Sequence, residues 1–494
     1  MTAVNVSELP ATELPAAARR LRDAGGRMHM AYARGRSDGQ VEVRYLAELD
    51  GNGDFQLWRV DPVDGELPSL ARDIPLLGWY EREMRDLFGL EFLDHPEPVP
   101  LVLHEGAQPA TPPLLAQADP AQPMAFRAQP WTLPEVPEED LQYLPFGPIR
   151  ADVLESAQFV FFYLGETVLH YYPRLFFKHR GLEKRFEGLM PALGAVLAER
   201  VSGVGSVAHA LAYAQAVENA CGCEVPPRAA WLRTLLAELE RLYNHLHYHG
   251  LLADATTLKV GNAQGRWLEE QFKQINGRLT GSRFLRSLIT PGGLRRDLEP
   301  EWVHDAINDL RADIGAYLDQ LADTASHLDR LMGNGVLPLR LALDQGATGP
   351  VARASDVDAD LRRDHPYAAY HAQSLEVGRS QGGDALARFE VRTQEIYASL
   401  DLIARLLHSL PRGDVYAQCR PAPEAQGLGW AETPRGALFY AVHFDAEGRL
   451  ARVKIKSPSF SNWRVFPFTV HGTDMMDYAI NEASFGLTIA GCDR

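Results

Sequence analysis

The chain has 494 residues, 46% apolar and 23% charged, and its 49 Lys and Arg against 65 Asp and Glu give a net charge of -16. That length predicts at least two domains, and an acidic chain without a basic stripe argues against nucleic-acid binding. No run of about 18 apolar residues predicts a membrane span, the N-terminus lacks the order of a secretion signal, and four cysteines in so long a chain make no disulfide framework, which points to a reducing compartment.

In chain order, the N-terminal stretch reads as a short capped helix. VEVRYLAELD and FQLWRV are β-rich runs on either side of Gly51-Asn52-Gly53-Asp54, a turn signal that predicts a hairpin. GWYEREMRDLFGLEFLDHP, residues 78–96, places Glu81, Arg82, Glu83, Arg85 and Asp86 at helical spacing, which composition alone reads as a solvated, ion-paired helix face. Residues 106–140 carry Pro109, Pro112, Pro113, Pro120, Pro123, Pro130, Pro134 and Pro137 and read as a linker. Beyond it, Gln158–Leu164 and Thr167–Tyr171 predict a second hairpin around Gly165-Glu166. A buried helix begins at Pro226-Pro227, carries Trp231, Leu235, Leu239, Leu242 and Leu246, and is expected to stop at Gly250. Further helices are expected at 262–285, 301–333, 366–375 and 383–409, then strands at ALFYAVHF and ARVKIKS. The pattern predicts an α+β fold with a helix bundle clasped by small sheets. Cys221 and Cys223 read as small apolar residues at a helix end. His245, His247 and His249 read as partners of a helix C-terminus rather than metal ligands, because residues two apart on a helix point away from each other.

Residues 78–96 closely match the W-x-E-R-E-x-x-D-x-F-G-x-x-F-x-x-H-P signature of complex I's 30 kDa subunit. The stretch Arg200–Pro227 resembles the large subunit of energy-converting nickel-iron hydrogenases, where R-x-C-G-x-C precedes a helix ending S-V-E-N-x-x-G; complex I's 49 kDa subunit uses the same scaffold around a quinone. The fusion resembles the large subunit of formate hydrogenlyase-type complexes. The resemblance implies a 30 kDa-like domain over 1–105, a linker over 106–140 and a 49 kDa/hydrogenase-like domain over 141–494. It also implies an oxidoreductase complex that couples electron transfer to ion translocation, or an adaptor linking such parts. The implied partners are an iron-sulfur small subunit and membrane-embedded complex I-like subunits, met at the cytoplasmic face of the membrane. In the family the charges at Glu81, Arg82, Glu83 and Asp86 face neighbouring subunits, so a docking surface is expected there.

The same frame locates the chemistry. Hydrogenases hold nickel and iron on two C-x-x-C pairs because soft thiolates suit those metals. Here the first pair falls on Ser202 and Gly205, and the second, aligned on Cys492-Asp493-Arg494, on Thr488 and Gly491. All four thiolates are missing, so no metal is expected and any iron-sulfur cluster belongs to a partner. The quinone-contacting histidine of complex I becomes Arg150 and its tyrosine aligns with Gly203, which leaves quinone binding open. No G-x-G-x-x-G fingerprint marks an NAD site. Glu155 matches a glutamate of the hydrogenase loop that can relay protons; the alternative is a loop carboxylate paired with Arg150. If the pocket works, Arg150 and Glu155 are its expected catalytic pair.

Overall fold

A computed structural model describes residues 4–36, 38–49, 54–119, 121–122, 124–127, 131–133, 135–138, 140–150 and 155–494. The first domain is a four-stranded sheet in the order β1-β4-β3-β2, built from β1 (Val4–Glu8), β2 (Arg27–Gly35), β3 (Val41–Glu48) and β4 (Phe55–Val60), with β1 parallel to β4 and the other pairs antiparallel. Helix α1 (Leu14–Asp23) and helix α2 (Gly78–Phe88) complete it. The expected hairpin is β3 and β4, while its turn residues 51–53 lie outside the described residues. The expected N-terminal helix is α1, preceded by an edge strand that the sequence hides because its five residues are mostly exposed.

The second module opens with a three-stranded antiparallel sheet of β5 (Gln142–Phe146), β6 (Gln158–Leu164) and β7 (Thr167–Arg174), in which β6 and β7 are the expected hairpin. The helical part follows with α3 (Ser206–Cys221), α4 (Pro227–Ala255), α5 (Lys259–Thr280), α6 (Val303–Asp323) and α7 (Ala385–His408). Then come the antiparallel strands β8 (Gln426–Thr433), β9 (Gly436–Phe444) and β10 (Leu450–Lys456), and helices α8 (Pro458–Val465), α9 (Tyr478–Phe485) and α10 (Ile489–Asp493). One continuous hydrophobic core runs from Leu14 to Cys492 through both modules.

Gly250 does not stop α4. It lies where α4 meets α5: a Cβ on Gly265 would stand 2.8 Å from the Gly250 Cα, so the glycines let two backbones touch. His245, His247 and His249 are therefore within the helix rather than at its end, and they bond sideways to Glu395 (2.7 Å), Glu269 (2.9 Å) and Thr393 (3.3 Å). A second close approach sets the position of α3. Cβ atoms on Gly427 and Gly429 of β8 would fall 2.0 Å and 2.1 Å from the carbonyl oxygens of Ala216 and Ala212, so only glycine allows this strand to lie on the helix backbone.

Other expectations are corrected. The helix at 301–333 breaks at Thr324, whose backbone is extended, before a short helix over Ala325–Leu331. The span 366–375 holds only a three-residue 3-10 turn, Tyr370–Ala372, and no α-helix: His365 precedes a proline and leaves the helical region, and Tyr367 and Tyr370 are turned inward to Glu432 N (2.9 Å) and Glu238 Oε1 (2.5 Å). Cys223 is not an inert apolar residue but is disulfide-bonded to Cys419, 196 residues away, tying the end of α3 to the segment before β8. No helix among the described residues is long and apolar enough to cross a membrane.

Candidate functional site

The positions Ser202, Gly205, Thr488 and Gly491 come from opposite ends of the second module, and the fold brings all of them to the wall of one cavity. Ser202 and Gly205 lie in the turn that starts α3. That turn is held by a buried carboxylate: Glu240 of α4 accepts from the amides of Val207 (2.7 Å) and Ala208 (3.0 Å), the unpaired donors of the first helical turn. Burial nevertheless pushes the Glu240 acid up to about 7. Thr488 caps α10, its hydroxyl accepting from Gly491 N at 3.2 Å. Arg180 fastens the two segments together, donating to the carbonyls of Arg200 (2.9 Å), Val201 (2.7 Å) and Ala490 (2.9 Å).

The cavity they enclose is about 10 Å³, room for about one water molecule. Its Thr488, Ser457 and Ser459 hydroxyls are bonded within the wall. The Thr488 and Ser459 hydroxyls are 3.2 Å apart, Thr488 N donates to Ser459 Oγ at 3.2 Å, and Ser457 Oγ donates to the Gly491 carbonyl at 2.5 Å. Arg435, from the turn between β8 and β9, also lines it and is anchored to Gly486 O (2.6 Å) and Asn244 Oδ1 (2.9 Å). Burial lowers this guanidinium only to about 10, so it stays charged. His209 bonds Tyr440 Oη through Nδ1 at 2.8 Å, and burial pulls its pKa down to about 3, which keeps the ring neutral.

This donor set does not fit a nickel-iron centre. Two ligand positions offer hard hydroxyl oxygens, of which Thr488's is already bonded to Ser459 and to the Gly491 amide, two offer no side chain, and soft metals need thiolates. Among the described residues no group of three or more His, Cys, Asp or Glu is placed to hold a metal ion. The two remaining thiols, Cys221 and Cys492, are off the cavity wall. A quinone headgroup is several times larger than the cavity, and Gly203, in the tyrosine's place, presents no side chain to it.

Arg150 and Glu155 do not pair with each other. Arg150 lies between the rings of Phe146 (5.0 Å) and Phe159 (4.7 Å) and makes a forked bridge to Glu482 of α9, with Nη2 to Oε1 at 3.0 Å and Nη1 to Oε2 at 3.3 Å. Glu155 accepts from the backbone amides of Ile489 (2.5 Å) and Ala490 (3.0 Å), placing a negative charge at the start of α10. Glu155 thus fixes α10, which Thr488 caps and which contains Gly491, while Arg150 fixes α9 just before it.

The expected docking charges face inward. Glu81 is fully buried, accepting from Ser69 Oγ (2.5 Å) and Leu70 N (2.8 Å), and burial raises its acid to about 7. Arg82 donates to Glu97 (2.8 Å), Val99 O (2.9 Å) and Pro100 O (2.8 Å). Asp86 accepts from the amides of Leu101, Val102 and Leu103 within 3.1 Å. Glu83 joins the modules: it bridges Lys454 of β10 at 2.5 Å and Arg494 at 2.8 Å, beside Glu183, which bridges Arg452 at 2.8 Å. These groups bind this chain to itself, because α2 is packed between the first sheet and β10.

Sequence reasoning missed Arg435, Ser457 and Ser459. A signal existed for Arg435 and Ser457: Pro434-Arg435-Gly436 forms the turn between two β-rich runs, and Ser457-Pro458 starts a helix with a cap and a proline.

Known proteins resemble this chain along most of its length. Residues 7–122 match the family described as respiratory-chain NADH dehydrogenase, 30 Kd subunit; residues 266–422 and 415–494 match the 49 Kd subunit; residues 180–254 match nickel-dependent hydrogenase. Formate hydrogenlyase subunit 5 of Escherichia coli is 32% identical over 435 residues, 85% of this chain and 75% of that protein. The C/D subunit of NADH-quinone oxidoreductase from Cereibacter sphaeroides is 29% identical over 501 residues, covering 91% and 85%. A chain in the solved structure of the membrane-bound sulfane sulfur reductase, an archaeal respiratory membrane complex, superposes with a TM-score of 0.68 at 28% identity, covering 73% of this chain and 100% of that one. The chain therefore belongs to the family of fused 30 kDa/49 kDa complex I-type subunits that includes the formate hydrogenlyase and NADH-quinone oxidoreductase C/D proteins.

Proposed function

We propose that this chain is the large peripheral subunit of a membrane respiratory oxidoreductase in which it acts as an adaptor, holding an iron-sulfur small subunit against membrane-embedded, ion-translocating complex I-like subunits at the cytoplasmic face. Electron transfer then runs through the partner's cluster, and this chain contributes no nickel-iron centre and no acceptor pocket of its own. The observation behind the reading is the cavity of about 10 Å³ at the four ligand positions, lined by the Thr488 and Ser459 hydroxyls, which bond each other, and by Ser457, whose hydroxyl bonds the Gly491 carbonyl. Relatives named as subunits of NADH-quinone oxidoreductase and formate hydrogenlyase, and a structural neighbour described as a respiratory membrane complex, support the setting.

The arrangement suits an adaptor in physical terms. Glu155, Arg150 and Arg180 hold α9, α10 and the turn before α3 by charged hydrogen bonds, so a displacement of the loop carrying Arg150 would be passed to the centre of the module as a rigid shift. The test is turnover of the assembled complex carrying Ser202→Ala together with Thr488→Val. Turnover within about twofold of the unaltered complex is expected; a loss of about tenfold or more with every partner still present would return the reaction to this cavity.

A further inference from the structure

A larger cavity, about 400 Å³, lies between the first domain and the C-terminal sheet, a volume within the range of small-molecule sites. The acids on its wall have side-chain partners. Glu48 holds His29 at 2.8 Å and His365 at 2.9 Å; Glu432 bridges Arg353 at 3.1 Å, Asp360 bridges Arg362 at 2.8 Å, and Asp73 bridges Arg22 at 3.3 Å. Two buried cations on the same wall are not matched by acids. Lys456, 3% exposed, donates to the Ala437 carbonyl at 2.8 Å, and Arg464, 8% exposed, donates to Pro75 O at 2.7 Å and Gln345 Oε1 at 3.0 Å. Neither forms an ion pair with a carboxylate among the described residues. Burial pulls Lys456 down to about 7, against the opposing pull of the Glu432 carboxylate, and Arg464 down to about 9, the sign of cations held away from water without a contacting carboxylate. Opposite them the first domain supplies an apolar wall that includes Leu21, Met28 and Ile74.

We propose that this interdomain cavity binds a small organic anion, whose sulfate, phosphate or carboxylate group lies against Lys456 and Arg464 and whose apolar body rests on the first domain. A bare oxyanion would satisfy the cations but leave most of the volume unfilled. An organic anion uses both walls, and because the walls belong to different modules its binding ties them together.

The full-length chain is titrated calorimetrically with hexyl sulfate and with inorganic sulfate, probes whose charge does not change near neutrality. One saturable hexyl sulfate site per chain is expected, with weaker binding of inorganic sulfate and a raised Tm in the presence of hexyl sulfate. Lys456→Met and Arg464→Gln should each weaken it by about tenfold or more. Lys456→Met removes an unmatched buried charge, so this variant is expected to fold. In the unaltered chain Lys456, faced by Glu432, Arg464 and His29, should lose its proton between pH 6 and 9 and weaken binding by a similar factor. Absence of saturable binding to the unaltered chain, or affinity in either variant unchanged from that of the unaltered chain, overturns the proposal.

Discussion

Replacing Glu83 with alanine separates two opposed accounts of α2, a face for partner subunits and an internal joint. On the structure, Glu83 is 4% exposed and its carboxylate bridges Lys454 and Arg494, themselves almost fully buried. Removing it leaves Glu183 alone among Arg452, Lys454 and Arg494, so buried positive charge loses its partner while the desolvation penalty stays. Breaking a buried pair from one side costs about 3–5 kcal/mol, a large share of a stability of about 5–15 kcal/mol. The assay is urea unfolding of the isolated full-length chain, followed by tryptophan fluorescence and circular dichroism, with coincident transitions required before a free energy is quoted. The expected result is that loss, with a smaller one when Lys454→Met is added, since the second change removes one stranded cation. A change below about 0.5 kcal/mol, typical of exposed charges, accompanied by failure to assemble with partners would refute the internal joint and restore the docking face.

Three further outcomes follow from the same packing. Gly429→Ala should lower the unfolding midpoint severely, because its Cβ would stand 2.1 Å from Ala212 O and 2.4 Å from Ala216 N, backbone atoms that cannot rotate away; midpoint measurement with Gly315→Ala, where nothing lies within 4 Å, is the control. Glu155→Gln should cost about 1–2 kcal/mol and speed amide hydrogen exchange at Ile489 and Ala490, since a neutral amide oxygen caps α10 less strongly. For Glu240 the acid is near 7 when folded, above its unfolded value, so its contribution is full below about pH 4.5 and is lost as pH rises through 7, at up to about 1.4 kcal/mol per pH unit. Glu240→Gln should remove that slope from stability measured between pH 5 and 8; an unchanged slope would show that another group causes it.

Much of this is legible in the sequence, and the failures share a cause. The hairpin expected over Gln158–Leu164 and Thr167–Tyr171 follows from aromatic and β-branched runs around Gly165-Glu166, and the meeting of Ser202, Gly205, Thr488 and Gly491 follows from a frame that fixes which residues oppose each other. What the sequence misleads on depends on partners far away in the chain. Nothing in residues 78–96 reveals that Glu83 meets Lys454 and Arg494, 371 and 411 positions on, so a charged helix reads as a wet one. Gly250 looks like a helix stop for the same reason: the Gly265 it touches belongs to the next helix. Arg150 and Glu155 are close in sequence and invite pairing, but each is claimed by α9 or α10.

The central claim, that the four ligand positions are filled by protein and hold no nickel-iron centre, is tested most directly by metal analysis of the intact membrane complex, purified without oxygen together with its partners. Nickel well below stoichiometric and no hydrogen evolution or uptake are expected, with iron and sulfide attributable to the partner subunits. About one nickel per copy of this chain would contradict it, because no set of soft ligands here could hold that metal.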